Sequence, residues 1–158
     1  MSLLRLLHYS IDTSAILDSW VRWHPPDSFP SLWNNMEKMI NDGTLGATEE
    51  VREELSKQDD NVYKWAKDRD NLFIPLTPNI QTAASEILSR FQKLVGALSD
   101  RSQADVFVIA LAMVENCTVI TGEQYGNESK PKIPFVCNYY KIPCINMVGF
   151  IREQNWKF

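Results

Sequence analysis

Four carboxylates stand where the pattern of the chain changes from strand to helix. Asp12 closes the apolar run Leu6-Leu7-His8-Tyr9-Ser10-Ile11, and the hydroxyls of Thr13 and Ser14 follow it before a helical pattern resumes. Glu54, with Glu50 one turn earlier on the same face, lies on the helix after a second short strand pattern. Asp105 opens the most apolar helix pattern, Ala104-Asp105-Val106-Phe107-Val108-Ile109-Ala110, and Glu123 comes directly after Val119-Ile120-Thr121-Gly122. In an open α/β sheet the strand ends and following helix starts share one edge, where ligands bind. Acids gathered there cannot all stay ionised without raised pKa values, unless a cation neutralises them. An all-oxygen donor set suits Mg²⁺ or Mn²⁺ rather than zinc. Such an ion orients a water, promotes its deprotonation and stabilises the charge of a phosphodiester transition state.

Each residue also has a plainer role. Asp12, Thr13 and Ser14 are all helix-capping types. Glu49, Glu50, Glu53 and Glu54 together read as a solvated helix face. Asp105 suits the positive end of a helix dipole, and Glu123 suits an ordinary polar loop. Lys130 and Lys132, in the loop after Glu123, fit either a phosphate backbone or plain solvent. The case for chemistry rests on the four acids as a set.

The elements that must position these acids follow from periodicity. Strands are expected at residues 3–11, 44–47, 72–76, 117–121 and 144–146. Between them lie helices at about 13–22, 29–42, 48–55, 60–70, 80–94, 103–115 and 135–140, with 151–158 as a terminal helix or tail. Pro25-Pro26 ends the first helix, Gly43 closes the second, and Thr48 is placed to cap the third. Residues 95–102 and 122–134 read as connections. Strands alternating with helices imply a single α/β domain over residues 1–158, with a mostly parallel sheet covered on both faces.

Composition bounds the rest. The 158 residues are 44% hydrophobic and 23% charged, as in a soluble globular chain. No apolar run is long enough for a membrane span, and the start lacks a basic region with a cleavage site, so a cytoplasmic location is expected. Cys117, Cys137 and Cys144 form no CxxC pair and read as core thiols in a reducing compartment. With only His8 and His24 to join them, no zinc pattern arises. A net charge of −4 speaks against a general nucleic-acid coat protein. It leaves room for an enzyme that meets nucleic acid through a metal and a few local cations. The five tryptophans read as core or subunit-interface residues rather than base-stacking platforms.

In order and spacing, Ile11-Asp12-Thr13-Ser14, Val51-Arg52-Glu53-Glu54-Leu55, Ala104-Asp105-Val106 and Val119-Ile120-Thr121-Gly122-Glu123 resemble the PIN-domain ribonucleases of the VapC type. The chain is more specifically similar to the PIN-like DUF4411 family. That likeness includes residues 20–26, Phe29-Pro30-Ser31-Leu32-Trp33, and Ile133-Pro134-Phe135-Val136-Cys137 leading to Cys144-Ile145-Asn146. The resemblance implies a three-layer α/β/α fold and Mg²⁺- or Mn²⁺-dependent endonuclease activity on RNA. It also implies a toxin role opposed by a cognate antitoxin protein, and a homodimer supported by the aromatic residues from Trp20 to Trp33. By position, Asp12, Glu54, Asp105 and Glu123 would form the metal site, while Thr13, Ser14 or Thr121 would hold substrate, water or phosphate. Two departures stand out: Glu123 replaces the aspartate of many PIN domains, and Glu50 or Glu53 could substitute for Glu54. A catalytically inactive PIN-like module that binds RNA or a protein is the competing reading. Aspartyl-phosphate enzymes fit poorly. The haloacid-dehalogenase-like pattern wants an aspartate where Ser14 stands, and receiver domains want a late lysine where Glu123 stands.

Overall fold

The computed structural model describes residues 6–94 and 104–158. The expected beginning of the first strand, the connection at 95–102 and Gln103 lie outside the described residues.

Among the described residues five strands form one sheet: β1 (Tyr9–Ile11), β2 (Leu45–Thr48), β3 (Phe73–Ile74), β4 (Thr118–Ile120) and β5 (Cys144–Ile145). They lie in the order β3-β2-β1-β4-β5, and every pairing is parallel. The chain builds outward from β1 to β2 and β3, then crosses back to lay β4 on the other side of β1. The β1–β4 junction is therefore the point where strand order reverses, and there the carboxyl ends of neighbouring strands leave a crevice. Tyr9, Ser10 and Ile11 pair with Thr118, Val119 and Ile120, which sets the ends of β1 and β4 level.

Every residue of β1 and β2 is buried, which requires helices over both faces of the sheet. The three-layer α/β/α expectation holds. The helices are α1 (Thr13–Asp18), α2 (Pro30–Asp42), α3 (Glu49–Gln58), α4 (Asp60–Lys67), α5 (Pro78–Arg90), α6 (Ala104–Glu115), α7 (Ile133–Tyr139) and α8 (Met147–Glu153). Helix α6 packs against β1, β2 and α5 and supplies the centre of the core. Its Val106, Val108, Ile109, Ala110 and Leu111 are fully buried, and it receives a hydrogen bond from Ser10 Oγ to the Val108 carbonyl at 2.9 Å.

Local chemistry explains the boundaries. Pro30 and Pro78 sit in the first turns of α2 and α5, where a missing N–H costs nothing. Gly43 ends α2 in the left-handed region, at φ 80°. The Asp59 carboxylate accepts from the Asn61 and Val62 amides at the start of α4. Thr48 occupies the N-cap position of α3, but its side chain makes no capping bond, contrary to expectation.

Three other expectations change. The first strand is shorter than the apolar run implied: Leu6 is exposed, and strand pairing starts at Tyr9. The first helix turns into a wide π-type turn at Ser19–Trp23. Of the aromatic residues from Trp20 to Trp33, Trp23 is exposed, but Trp20 and Trp33 are not a free surface. Trp20, Trp33 and Trp65 pack on one another, with ring centroids 4.9 to 5.8 Å apart, so they are spent within one chain. No helix among the described residues is long and apolar enough to cross a membrane.

Candidate functional site

The β1–β4 crevice collects the acids. Asp12 follows β1 at the N-cap position of α1 and is only 2% exposed. Glu54 reaches in from the second turn of α3, and Asp105 from the first turn of α6. Carboxylate oxygens of Asp12, Glu54 and Asp105 all lie within 4.8 Å of one another. Of the three glutamates that the sequence left open on α3, Glu54 joins this group. Glu53 is exposed, and Glu50 is half-buried with its carboxyl pushed upward by burial.

Hydroxyls hold the acids in place. Ser14 Oγ donates to Asp12 Oδ2 at 2.6 Å, and Thr121 Oγ1 donates to the same oxygen at 2.9 Å. Thr13 Oγ1 donates to Glu54 Oε1 at 2.5 Å. The Gly122 amide donates to Ser14 Oγ at 2.9 Å, which ties the end of β4 to the start of α1. All three hydroxyls thus contact an acid or its support. The expectation that Thr13 and Ser14 cap α1 gives way to side-chain bonds toward the carboxylates.

Glu123 stands slightly apart. Its Oε1 accepts from the Ile133 amide at 3.1 Å, at the start of α7, and it is outside the tight three-carboxylate group. Its charge still reaches Asp12, Asp105 and Glu54.

Electrostatics report how crowded the site is. Burial, followed by the charges of Asp12, Glu123 and Glu54, pushes Asp105 up to about 8. Burial raises Asp12 against the pull of its Ser14 and Thr121 hydrogen bonds. Glu123 is raised by burial and by Asp12, while the Ile133 amide and Lys132 oppose the shift. Half-buried Lys132 also lowers Asp105, so its charge lies near the acids. The sequence offered no signal for that, because loop lysines look alike whichever way they turn.

These residues fit a divalent cation. Ligands about 2.0–2.1 Å from one Mg²⁺ lie roughly 3–4 Å from each other, so three oxygens within 4.8 Å need only a small contraction to share it. The raised pKa values express the same need: Lys132 lowers Asp105 and Glu123, yet burial and the neighbouring acids still hold both upward.

A family model described as "Domain of unknown function (DUF4411)" matches residues 9–158. The chain belongs to the DUF4411 family. Two solved structures share the fold of this DUF4411 chain. One is VapBC2 from Rickettsia felis bound to a DNA fragment from its promoter, with 14% identity and a TM-score of 0.51, covering 89% of this chain and 98% of that one. The other is FitAcB from Neisseria gonorrhoeae, with 13% identity and a TM-score of 0.52, covering 87% and 96%. At these identities the likeness speaks for the fold, which is PIN-like. No curated protein matches the DUF4411 chain.

Proposed function

We propose that the chain is a Mg²⁺- or Mn²⁺-dependent endoribonuclease, the toxin of a toxin–antitoxin pair. The observation that carries this reading is the convergence of Asp12, Glu54 and Asp105 within 4.8 Å at the point where strand order reverses. Asp12, Glu54 and Asp105 would hold the ion, with Glu123 at its margin. When bound, the ion supplies a Lewis acid for the phosphodiester and an activated water.

The chain's own residues prepare that site. Ser14 and Thr121 fix one oxygen of Asp12 from two sides, which orients the carboxylate for the cation. Thr13 holds Glu54 Oε1 by a hydrogen bond from its hydroxyl. Burial and the neighbouring acids push Asp105 up to about 8, and a bound cation would favour its ionised form. Lys132, beside Glu123 and Asp105, offers a positive charge to a phosphate arriving at the cluster.

The partner in this reading is a cognate antitoxin protein, by likeness to the VapBC2 and FitAcB structures. The same reading has the chain act in the cytoplasm as a homodimer. The test is cleavage of single-stranded RNA by purified protein with Mn²⁺ or Mg²⁺, compared with Asp12→Asn and Asp105→Asn. Cleavage is expected to fall at least a hundredfold in both variants. Undiminished cutting by both would overturn the site, and a folded native protein that binds no divalent ion would favour a silent module.

A further inference from the structure

Past the Ser14–Gly122 hydrogen bond lies a cavity of about 430 Å³, within the range of about 300–1,000 Å³ typical of small-molecule sites. Its wall includes Asp18 at the end of α1, Ser19, Trp23 and His24 in and after the π-type turn, Gly122 just past β4, and Val148 on α8. It opens beside the same crevice that holds the acids, because Gly122 borders the cavity and also binds Ser14, the support of Asp12.

Two residues of this wall carry a buried polar atom with no hydrogen-bond partner among the described residues. Ser19 is 1% exposed, yet its Oγ makes no hydrogen bond, and Nδ1 of His24 is buried in the same condition. Folded chains leave few buried polar atoms unpaired, and such atoms mark a place where a ligand or water completes the set. Trp23, by contrast, is 64% exposed, while nearby Trp20 and Trp33 are absorbed into the intrachain cluster. At Gly122 the wall is closely packed. A Cβ there would lie 2.6 Å from Asp18 Oδ2 and 3.2 Å from the Ser14 carbonyl. Glycine therefore lets the Asp18 carboxylate approach the junction between cavity and acids.

We propose that this cavity receives one unstacked base of the RNA strand, next to the phosphodiester at the carboxylates, and that guanine is the base it fits best. This rests on the ribonuclease reading. Single-stranded RNA is recognised by splayed bases that stack on aromatic rings and hydrogen-bond along their edges. Trp23 supplies the stacking face, departing from the core or interface role that its residue type implied. Asp18 accepts from the paired N–H donors on the Watson–Crick edge of guanine, which uracil lacks as a pair. Ser19 Oγ donates to the O6 or N7 acceptors, and His24 Nδ1 finds its missing partner on the same base.

The test begins without cleavage. The intact chain, in EDTA, is titrated with 5′-GMP and 5′-UMP by calorimetry and tryptophan fluorescence. GMP is expected to bind at least tenfold more tightly than UMP, with that ratio reduced at least fivefold in Trp23→Ala and in Asp18→Asn. With Mn²⁺ added, cutting of a mixed-sequence oligonucleotide is expected to favour phosphates beside guanine, and both variants are expected to lower that preference. Absent GMP binding, equal binding of the two nucleotides, or an unchanged ratio in both variants would overturn the base pocket while leaving RNA cleavage intact. GMP binding without any metal-dependent cleavage would instead uphold the pocket and remove the nuclease reading.

Discussion

Ser14 Oγ lies 2.6 Å from Asp12 Oδ2 and at the same time accepts the Gly122 amide, 108 residues along the chain, at 2.9 Å. One hydroxyl thus orients the most buried acid of the site and clamps the ends of β1 and β4 together. Removing it affects both jobs. Ser14→Ala is expected to cost about 1 kcal/mol of stability, the usual net value of a hydrogen bond, as measured by urea unfolding. It should also weaken Mn²⁺ binding roughly 10- to 100-fold, the range found when a ligand's support is removed, as read by calorimetry.

Thr13 tests the same idea on the other acid without touching the clamp. Thr13→Val keeps the shape and removes the donor to Glu54 Oε1. Mn²⁺ affinity is expected to fall about tenfold, with stability of the ion-free chain changing by roughly 0.5–1.5 kcal/mol.

The crowding of the acids makes ion-free stability depend on pH with a definite sign. Asp105 titrates near 8 in the folded chain against 3.8 for an ordinary aspartate, so between those values the folded state binds more protons than the unfolded one. Stability is then full at the acid end and declines as pH rises toward 8. Asp12 and Glu123 shift the same way. Because the protons are shared by the cluster, the loss from pH 5 to pH 8 is expected to be on the order of 2 kcal/mol. Urea midpoints at the two pH values measure it. Added Mn²⁺ should close the gap, and Asp105→Asn should flatten the slope while abolishing that effect of the ion.

The three thiols are expected to differ in reactivity. Burial and the nearby Glu115 push Cys117 up to about 12. Cys137 is raised by its contact with Cys144 and by burial, while that same contact lowers half-buried Cys144. Thiolate character governs reaction with a disulfide reagent. At pH 8 one thiol, Cys144, is expected to react in the native chain and three in urea. Replacement by Cys144→Ser should remove the native reaction.

Much of this arrangement is legible in the residues, because its signals are local. Pro30 and Gly43 bracket α2, and alternation of apolar strands with helices leads directly to a parallel sheet. Asp12 and Glu123 mark strand ends, and Asp105 betrays itself by opening so apolar a helix. What stays hidden depends on partners far along the chain. The clamp from Ser14 to Gly122, the seat of Glu123 on the Ile133 amide and the nearness of the Lys132 charge to the acids have no periodicity to announce them. Ser19 and His24 look ordinary until their unpaired atoms are placed in a cavity wall.

Gly46 shows how closely the sheet beneath the site is packed. It pairs with Ser10 in the β1–β2 ladder, and a Cβ at this position would come within 2.6 Å of Ile74 Cδ1 and 3.0 Å of Leu7 Cδ1. Gly46 is not in the left-handed region, so a substitution there is opposed by space rather than by backbone strain. Gly46→Ala is expected to destabilise the chain by about 1–3 kcal/mol through overpacking. The nearest obstacle is the far end of one flexible side chain, and Ile74→Val removes that very atom. The double variant Gly46→Ala with Ile74→Val should therefore be more stable than the sum of the two single losses, by at least about 0.5 kcal/mol in a urea-unfolding cycle. Simple additivity would mean that the cost at Gly46 comes from somewhere other than Ile74.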